Sequence, residues 1–258
     1  MEKLLFLKLS SIKKAFVKVK KILNIALNNL RQLGVIISYG RKIGIERMLW
    51  AVETIEVEYG HYSSSTQKMC IDKHGNPIPW YTYPAIEYLK QLDFSDKEVY
   101  EYGAGNSSLF WARRAKTVTS VENDRTWHSF VKKKQAQNQE ILFINDEEEY
   151  VNSIIRKQQK YDLIIIDGVA RFACAQVAIH SLGKGGMIIL DNSDWYPNTA
   201  KFLRESDLIQ VDFTGMGPIN YYNWTTSVFL QRDFYIKARS ELQPEPGIGS
   251  VVYRVEPE

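Results

Sequence analysis

Cysteine is scarce in this 258-residue chain: Cys70 and Cys174 are the two present, far apart and without the spacing of a metal-ligand pair. That excludes a disulfide framework and a cysteine-type zinc site, and makes a reducing cytoplasm the default compartment. Long apolar runs are missing too. No stretch reaches the roughly 18 apolar residues of a spanning helix. The opening run at 4–7 is broken by Lys8, short of the roughly 7–15 residues of a secretory h-region, and no small-residue cleavage site follows it. Internal repeats and low-complexity linkers are absent as well. What is there is ordinary for a globular protein: 45% hydrophobic, 24% charged and 12% aromatic residues, which excludes a mainly disordered or collagen-like chain. At this length roughly 70–75% of the unfolded surface can be buried, enough for a full core.

Positive charge is concentrated in one place. Residues 1–50 carry eleven Lys/Arg against two acids, a balance of +9, so the remaining 208 residues carry 22 against 28, a balance of −6. The basic character belongs to an N-terminal arm and not to the body, which disfavours a nucleic-acid substrate. Within the arm Ile12, Phe16, Val19, Leu23, Ala26 and Leu30 recur at helical spacing, with Lys14, Lys18 and Lys21 on the opposite face. Two roles stay open for such a helix. It packs on the body or mediates self-association, or it lies on an anionic membrane surface as a peripheral anchor.

From residue 97 onward β-rich runs alternate with helical stretches. Strands are expected at 98–102 (EVYEY), 117–122 (TVTSVE), 141–144, 163–166 and 187–190, with helices following each and Asp124 as the N-cap of the second. The runs at 163–166 and 187–190 are apolar throughout, as strands buried on both faces are. This alternation predicts an α/β, doubly wound, mostly parallel sheet. After a helix near 197–205, the runs 208–213 and 225–230 have no helix between them and read as an antiparallel pair closing the sheet. The expected organisation is a helical arm at 1–50, a lead-in helix and irregular loop at 51–96, the sheet domain at 97–235 and an extension at 236–258. Residues 60–80, punctuated by Gly and Pro, read as the irregular loop, long enough for a lid or a substrate contact.

Three features carry chemistry. The first strand ends in Glu101-Tyr102-Gly103-Ala104-Gly105, and glycines in a strand-to-helix turn let a ligand approach the backbone. Glu122 ends the second strand, where a carboxylate can accept both hydroxyls of a ribose. Asp146 follows the third strand, near where an adenine edge would lie.

The run EYGAGNSS…VEND…NDEEEY…YDLIIIDG…GGMIILDN resembles the class I S-adenosylmethionine-dependent methyltransferases over about 97–231. The resemblance implies a seven-stranded Rossmann-like sheet with its last strand antiparallel. It also implies S-adenosylmethionine as cofactor, with Glu101, Gly103, Ala104 and Gly105 holding the methionine part, Glu122 the ribose, Asp146 the adenine amine and Asp167 the floor near the sulfonium. Asp167, Asp191 and Asn192, at the ends of the fourth and fifth strands, are similar to the magnesium triad of catechol-type O-methyltransferases. Three hard oxygen ligands would suit Mg²⁺ and help deprotonate a hydroxyl. The chain departs from that family after the fourth strand, where Gly168-Val169-Ala170-Arg171 replaces the usual further acid and lysine. Arg171 can instead pair with Asp167, and Asp191 and Asn192 can simply shape the turn.

The implied activity is methylation of a small-molecule or glycan hydroxyl. Two other classes compete: an NAD(P)-binding oxidoreductase, whose glycine turn and ribose acid are similar, and an inactive, membrane-associated scaffold on the same fold. In the oxidoreductase reading the third glycine is missing, with Ser108 in its place. His61 and His74 flank the irregular loop as surface groups or bases, and His180 is structural. Trp80 to Tyr83 and Tyr221 to Trp224 either wall the crevice or pack at its edges.

Overall fold

The computed structural model describes residues 44–252, so the amphipathic arm lies largely outside the described residues. The chain divides into two units, Met1–Glu53 and Thr54–Glu258. Of the first, helix α1 (Ile45–Glu53) is described, with Met48 and Trp50 exposed. Among the described residues, no helix is long and apolar enough to cross a membrane.

The second unit begins with a π-helical turn at Thr54–Glu58, then α2 (His61–Gln67) and α3 (Tyr83–Lys90). Five strand–helix steps follow: β1 (Glu98–Tyr102), α4 (Asn106–Ala112), β2 (Thr117–Glu122), α5 (Arg125–Lys132), β3 (Gln139–Phe143), α6 (Glu147–Val151), β4 (Tyr161–Ile166), α7 (Arg171–Ala178), β5 (Leu182–Leu190) and α8 (Pro197–Glu205). Strands β6 (Ile209–Gly215) and β7 (Trp224–Leu230) close the sheet. All seven strands lie in one sheet, ordered β3-β2-β1-β4-β5-β7-β6. The first five are parallel, and β7 runs antiparallel to both β5 and β6. The doubly wound α/β expectation and the antiparallel ending both hold.

Side-chain alternation builds a core on each face of the sheet. Leu163 and Ile165 of β4 and Met187 and Ile189 of β5 join Ile86, Leu89 and Trp111 on one side. Ile164, Ile166, Ile188 and Leu190 join Tyr100, Tyr102 and Cys174 on the other. These strands are apolar throughout because both faces are covered by helices. The chain order reverses between β1 and β4, and the carboxyl ends of parallel strands at such a reversal frame a crevice.

One expectation fails here. Residues 60–80 are not an irregular loop. They form α2 and a closed turn bridged at Ile71 and Pro77, with His61, Ser64, Cys70, Ile71 and Ile78 buried. Ser64 Oγ donates to the Ile71 carbonyl at 2.6 Å and accepts from its amide at 3.1 Å. Gly, Pro and Ser mark turns in sequence, but here the Ser64 hydroxyl satisfies both backbone groups of the buried Ile71.

Candidate active site

The glycine turn after β1 is shaped by close packing. Gly103 has φ +91, and a Cβ there would sit 2.9 Å from the Asp167 carbonyl oxygen and from the Gly168 Cα and nitrogen. Behind the turn, Ser108 Oγ accepts from the Gly105 amide at 2.9 Å and donates to the Glu101 carboxylate. Ser120 Oγ donates to the same carboxylate oxygen at 2.8 Å. Glu101 is thus fully buried beneath the turn and does not line the crevice. It fixes the turn and does not reach the ligand side directly, which corrects its expected contact with a cofactor.

Glu122 does face the crevice. Its carboxylate accepts from the backbone amides of Ala104 (3.0 Å), Asn123 (2.9 Å) and Asp124 (2.8 Å). These bonds lock the end of β2 against the glycine turn. A carboxylate offers about four acceptor sites, so one remains for a ligand hydroxyl. Trp127, five residues past Glu122, donates from Nε1 to the Ala104 carbonyl at 2.6 Å and joins the same wall.

Gly103, Ala104, Gly105, Glu122, Asp167, Asp191 and Asn192 line one cavity of about 530 Å³, within the range of small-ligand sites. Asp146 does not. It is exposed, and its Oδ1 accepts from the Glu149 amide at 2.9 Å as the N-cap of α6, a use that competes with any adenine contact.

Arg171 decides the chemistry of the strand ends. Ala170, with φ +49, turns the chain into α7 so that the guanidinium points back at the sheet. It donates to Asp167 Oδ1 at 3.1 Å, to Asn192 Oδ1 at 3.2 Å and to the Asp191 carbonyl, with Tyr196 under it at 4.5 Å. Asp191 turns elsewhere, its Oδ1 accepting from Trp224 Nε1 at 3.1 Å and Thr226 Oγ1 at 2.5 Å. The Arg171 guanidinium thus bridges the Asp167 and Asn192 oxygens and already supplies positive charge there, while Asp191 Oδ1 is held from β7. Among the described residues, no group of three or more His, Cys, Asp or Glu side chains is placed to hold a metal. The magnesium triad finds no support in this arrangement.

Burial raises the Asp167 carboxyl while Arg171 pulls it back. Asp191 is pushed well above the usual carboxylate range by burial and then by the Asp167 charge. The two carboxylates oppose each other's ionisation, which favours the protonated form of the pair.

Burial also lifts Glu101, to about 7, against opposing bonds from Ser107, Ser108 and Ser120. In the unfolded chain Glu101 titrates near 4.5. Between those values the folded state holds a proton the unfolded state has released, so this group's contribution to stability is complete below the lower value. It is lost as pH rises toward 7, by up to about 3 kcal/mol. Glutamine cannot titrate. The stability of wild type relative to Glu101→Gln, from urea unfolding, is expected to fall by that amount between pH 4.5 and 7.5. A pH-independent difference would overturn the assignment.

Sequence reasoning missed much of the cavity wall. Lys68, Met69, Cys70, Trp195, Ile219 and Asn220 line it together with Trp80 and Tyr222. Asn106 Nδ2 donates to the Cys70 carbonyl at 2.6 Å, which brings the 68–70 segment to the glycine turn. Burial pushes the Cys70 thiol up, which disfavours its thiolate. His61 lies buried against Tyr83 (3.2 Å to its hydroxyl) and is not a surface group. The aromatic segments divide the two roles foreseen for them: Trp80 and Tyr222 wall the cavity, while Tyr81 and Trp224 are buried.

The strand order, the antiparallel β7 and the glycine turn facing an acid at the end of β2 are those of the class I S-adenosylmethionine-dependent methyltransferase fold. Similar solved structures include the precorrin-6y C5,15-methyltransferase of Geobacter metallireducens, with 13% identity over 65% of this chain and 97% of that one, at a TM-score of 0.49. An rRNA methylase of Streptococcus thermophilus matches with 14% identity over 57% of this chain and 95% of its own, TM-score 0.42. A Streptococcus mutans protein assigned as a methyltransferase, in complex with S-adenosylhomocysteine (SAH), matches with 14% identity over 56% and 94%, TM-score 0.42. No family model and no curated protein sequence matches the chain. The fold assignment rests on the chain's own strand order.

Proposed function

We propose that this protein is an S-adenosylmethionine-dependent methyltransferase acting on a hydroxyl of a small molecule or glycan. The observation that carries this reading is the convergence of Gly103–Gly105, Glu122, Asp167 and Asp191 on one cavity. The residues present fit the cofactor: Glu122 keeps acceptor capacity for a ribose hydroxyl, the glycines leave the backbone open to a close ligand, and acidic side chains favour a sulfonium. When bound, the cofactor supplies a methyl carbon already activated by positive sulfur. The protein's own work is alignment, exclusion of water and acceptance of a proton. Arg171 holds Asp167 and Asn192 in place, and the Asp167–Asp191 pair provides a proton acceptor on the cavity wall. Arg171 occupies the Asp167 and Asn192 oxygens and Trp224 and Thr226 occupy Asp191 Oδ1, so the proposed reaction needs no metal. A cytoplasmic location and a membrane-surface or self-association role for the arm go with this reading, supported by the +9 balance of residues 1–50.

Calorimetric titration of the full chain with S-adenosylmethionine, SAH and NAD(H) tests the reading. Binding of both sulfur ligands without NAD(H) is the expected result. Binding of NAD(H) alone would replace it with the oxidoreductase reading, and silence toward all three would favour the scaffold.

A further inference from the structure

Three large aromatic side chains from three separate segments line the cavity and remain about half exposed: Trp80 at 45%, Trp195 at 55% and Tyr222 at 51%. Exposed aromatics gathered at one site mark a binding surface more often than a packing accident. These are held in place. The Trp195 amide donates to the Asn192 carbonyl at 2.8 Å, and the turn is tied to β7 by Ser193 N to the Thr225 carbonyl (2.9 Å) and Thr225 N to Asp194 Oδ1 (3.0 Å). The Trp195 and Tyr222 rings lie 6.4 Å apart at 31°, and Tyr222 meets the buried Trp224 at 6.1 Å. Trp224 in turn donates to Asp191. The platform is therefore continuous with the reacting end of the cavity. Beside it Ile219 is held at φ +72, a conformation a β-branched residue rarely adopts, so that the loop presents Asn220 to the same cavity.

Charge narrows the ligand. Glu122, Asp167 and Asp191 line the cavity, and Arg171 is engaged by Asp167 and Asn192. Lys68 is the one further lining cation among the described residues. A nucleic acid would require several free cations along its phosphates. A flat apolar phenol is gripped best in an enclosed apolar slot, whereas here the rings stand open with amides beside them. An uncharged ring with one carbon-bound face and a rim of hydroxyls matches open aromatics flanked by Asn220 and Asn192.

We infer that the acceptor is a neutral saccharide, one ring face resting on Trp195 and Tyr222. The inference rests on the methyltransferase reading of the same cavity and names its substrate class. A saccharide hydroxyl oxygen forms the new bond to the methyl carbon as the carbon–sulfur bond breaks. The sulfur keeps that electron pair and leaves in SAH, and the hydroxyl proton passes to the Asp167–Asp191 carboxylates and then to water.

The test uses the full chain with SAH on an array of neutral oligosaccharides built from hexoses, deoxyhexoses and N-acetylhexosamines. Polyanionic glycans and single-stranded RNA share the array, and catechol is titrated separately. Neutral oligosaccharides are expected to bind. Trp195→Ala and Tyr222→Ala should each weaken that binding about tenfold or more, Trp195→Phe should retain most of it, and SAH affinity should stay within about twofold throughout. Binding of RNA or catechol in place of sugars, silence toward every neutral sugar, or full retention in both alanine variants would overturn the inference. If SAH fails to bind while sugars still do, the methyltransferase reading falls and the saccharide site stands.

Discussion

Replacing Glu122 by alanine is expected to weaken SAH binding about 100-fold while leaving the chain folded. In the proposed complex this carboxylate accepts a ribose hydroxyl, and a hydrogen bond to a charged group contributes about 1.5–3 kcal/mol. Loss of about 3 kcal/mol corresponds to roughly two orders of magnitude in affinity. The same substitution removes the acceptor for the Ala104, Asn123 and Asp124 amides. Asp124 is exposed and Asn123 partly so, and water can replace the carboxylate there. Ala104 is the buried exception. A fall of a few degrees in Tm is therefore expected beside the much larger loss of affinity. Calorimetry and a thermal melt on the same variant separate the two, and unchanged affinity in a folded Glu122→Ala chain would remove the ribose assignment.

The two glycines of the turn should fail in different ways. Gly103→Ala places a methyl group 2.9 Å from the backbone of Asp167 and Gly168, at a φ of +91 that alanine strains to adopt. Neither cost is relieved by a side-chain rotation, because the atoms met belong to the chain leaving β4. A loss of about 3 kcal/mol is expected, lowering Tm by roughly 6–12 °C in a unit of this size. Gly105 is extended at φ −173. A Cβ there would meet only Ser107 Oγ at 3.7 Å, Trp127 Nε1 at 3.9 Å and the Ser107 nitrogen at 4.0 Å, which are ordinary contacts. Gly105→Ala should therefore melt like wild type and still bind SAH more weakly, since its methyl group projects into space the ligand needs. Equal Tm losses in both variants would mean the second glycine serves the fold alone.

Much of this architecture is legible in the chain. A strand buried on both faces is apolar at every position, as 163–166 and 187–190 are, and helices between such strands require parallel crossovers. The missing helix between 208–213 and 225–230 foretells the antiparallel ending for the same reason. Gly103, Gly105 and Glu122 are readable because each stands at a fixed offset from a strand end, and strand ends share one edge of a parallel sheet.

Other features depended on contacts that no local pattern records. Asp146 looks like a ligand residue by position, yet three residues later a free amide at the start of α6 takes its carboxylate. Asp167, Asp191 and Asn192 have the order of a metal triad, but the strained turn at Ala170 aims the Arg171 guanidinium between two of them. The turn at 68–70 reaches the site through Asn106, 36 residues away from Cys70, and Trp224 meets Asp191 across 33. Sequence periodicity reports which face of an element meets solvent, and so it determined the sheet, its direction and its glycine turn. Which side chains share a cavity, and which cation neutralises which carboxylate, depends on distances between segments far apart in the chain, and those were fixed only when the two cores packed.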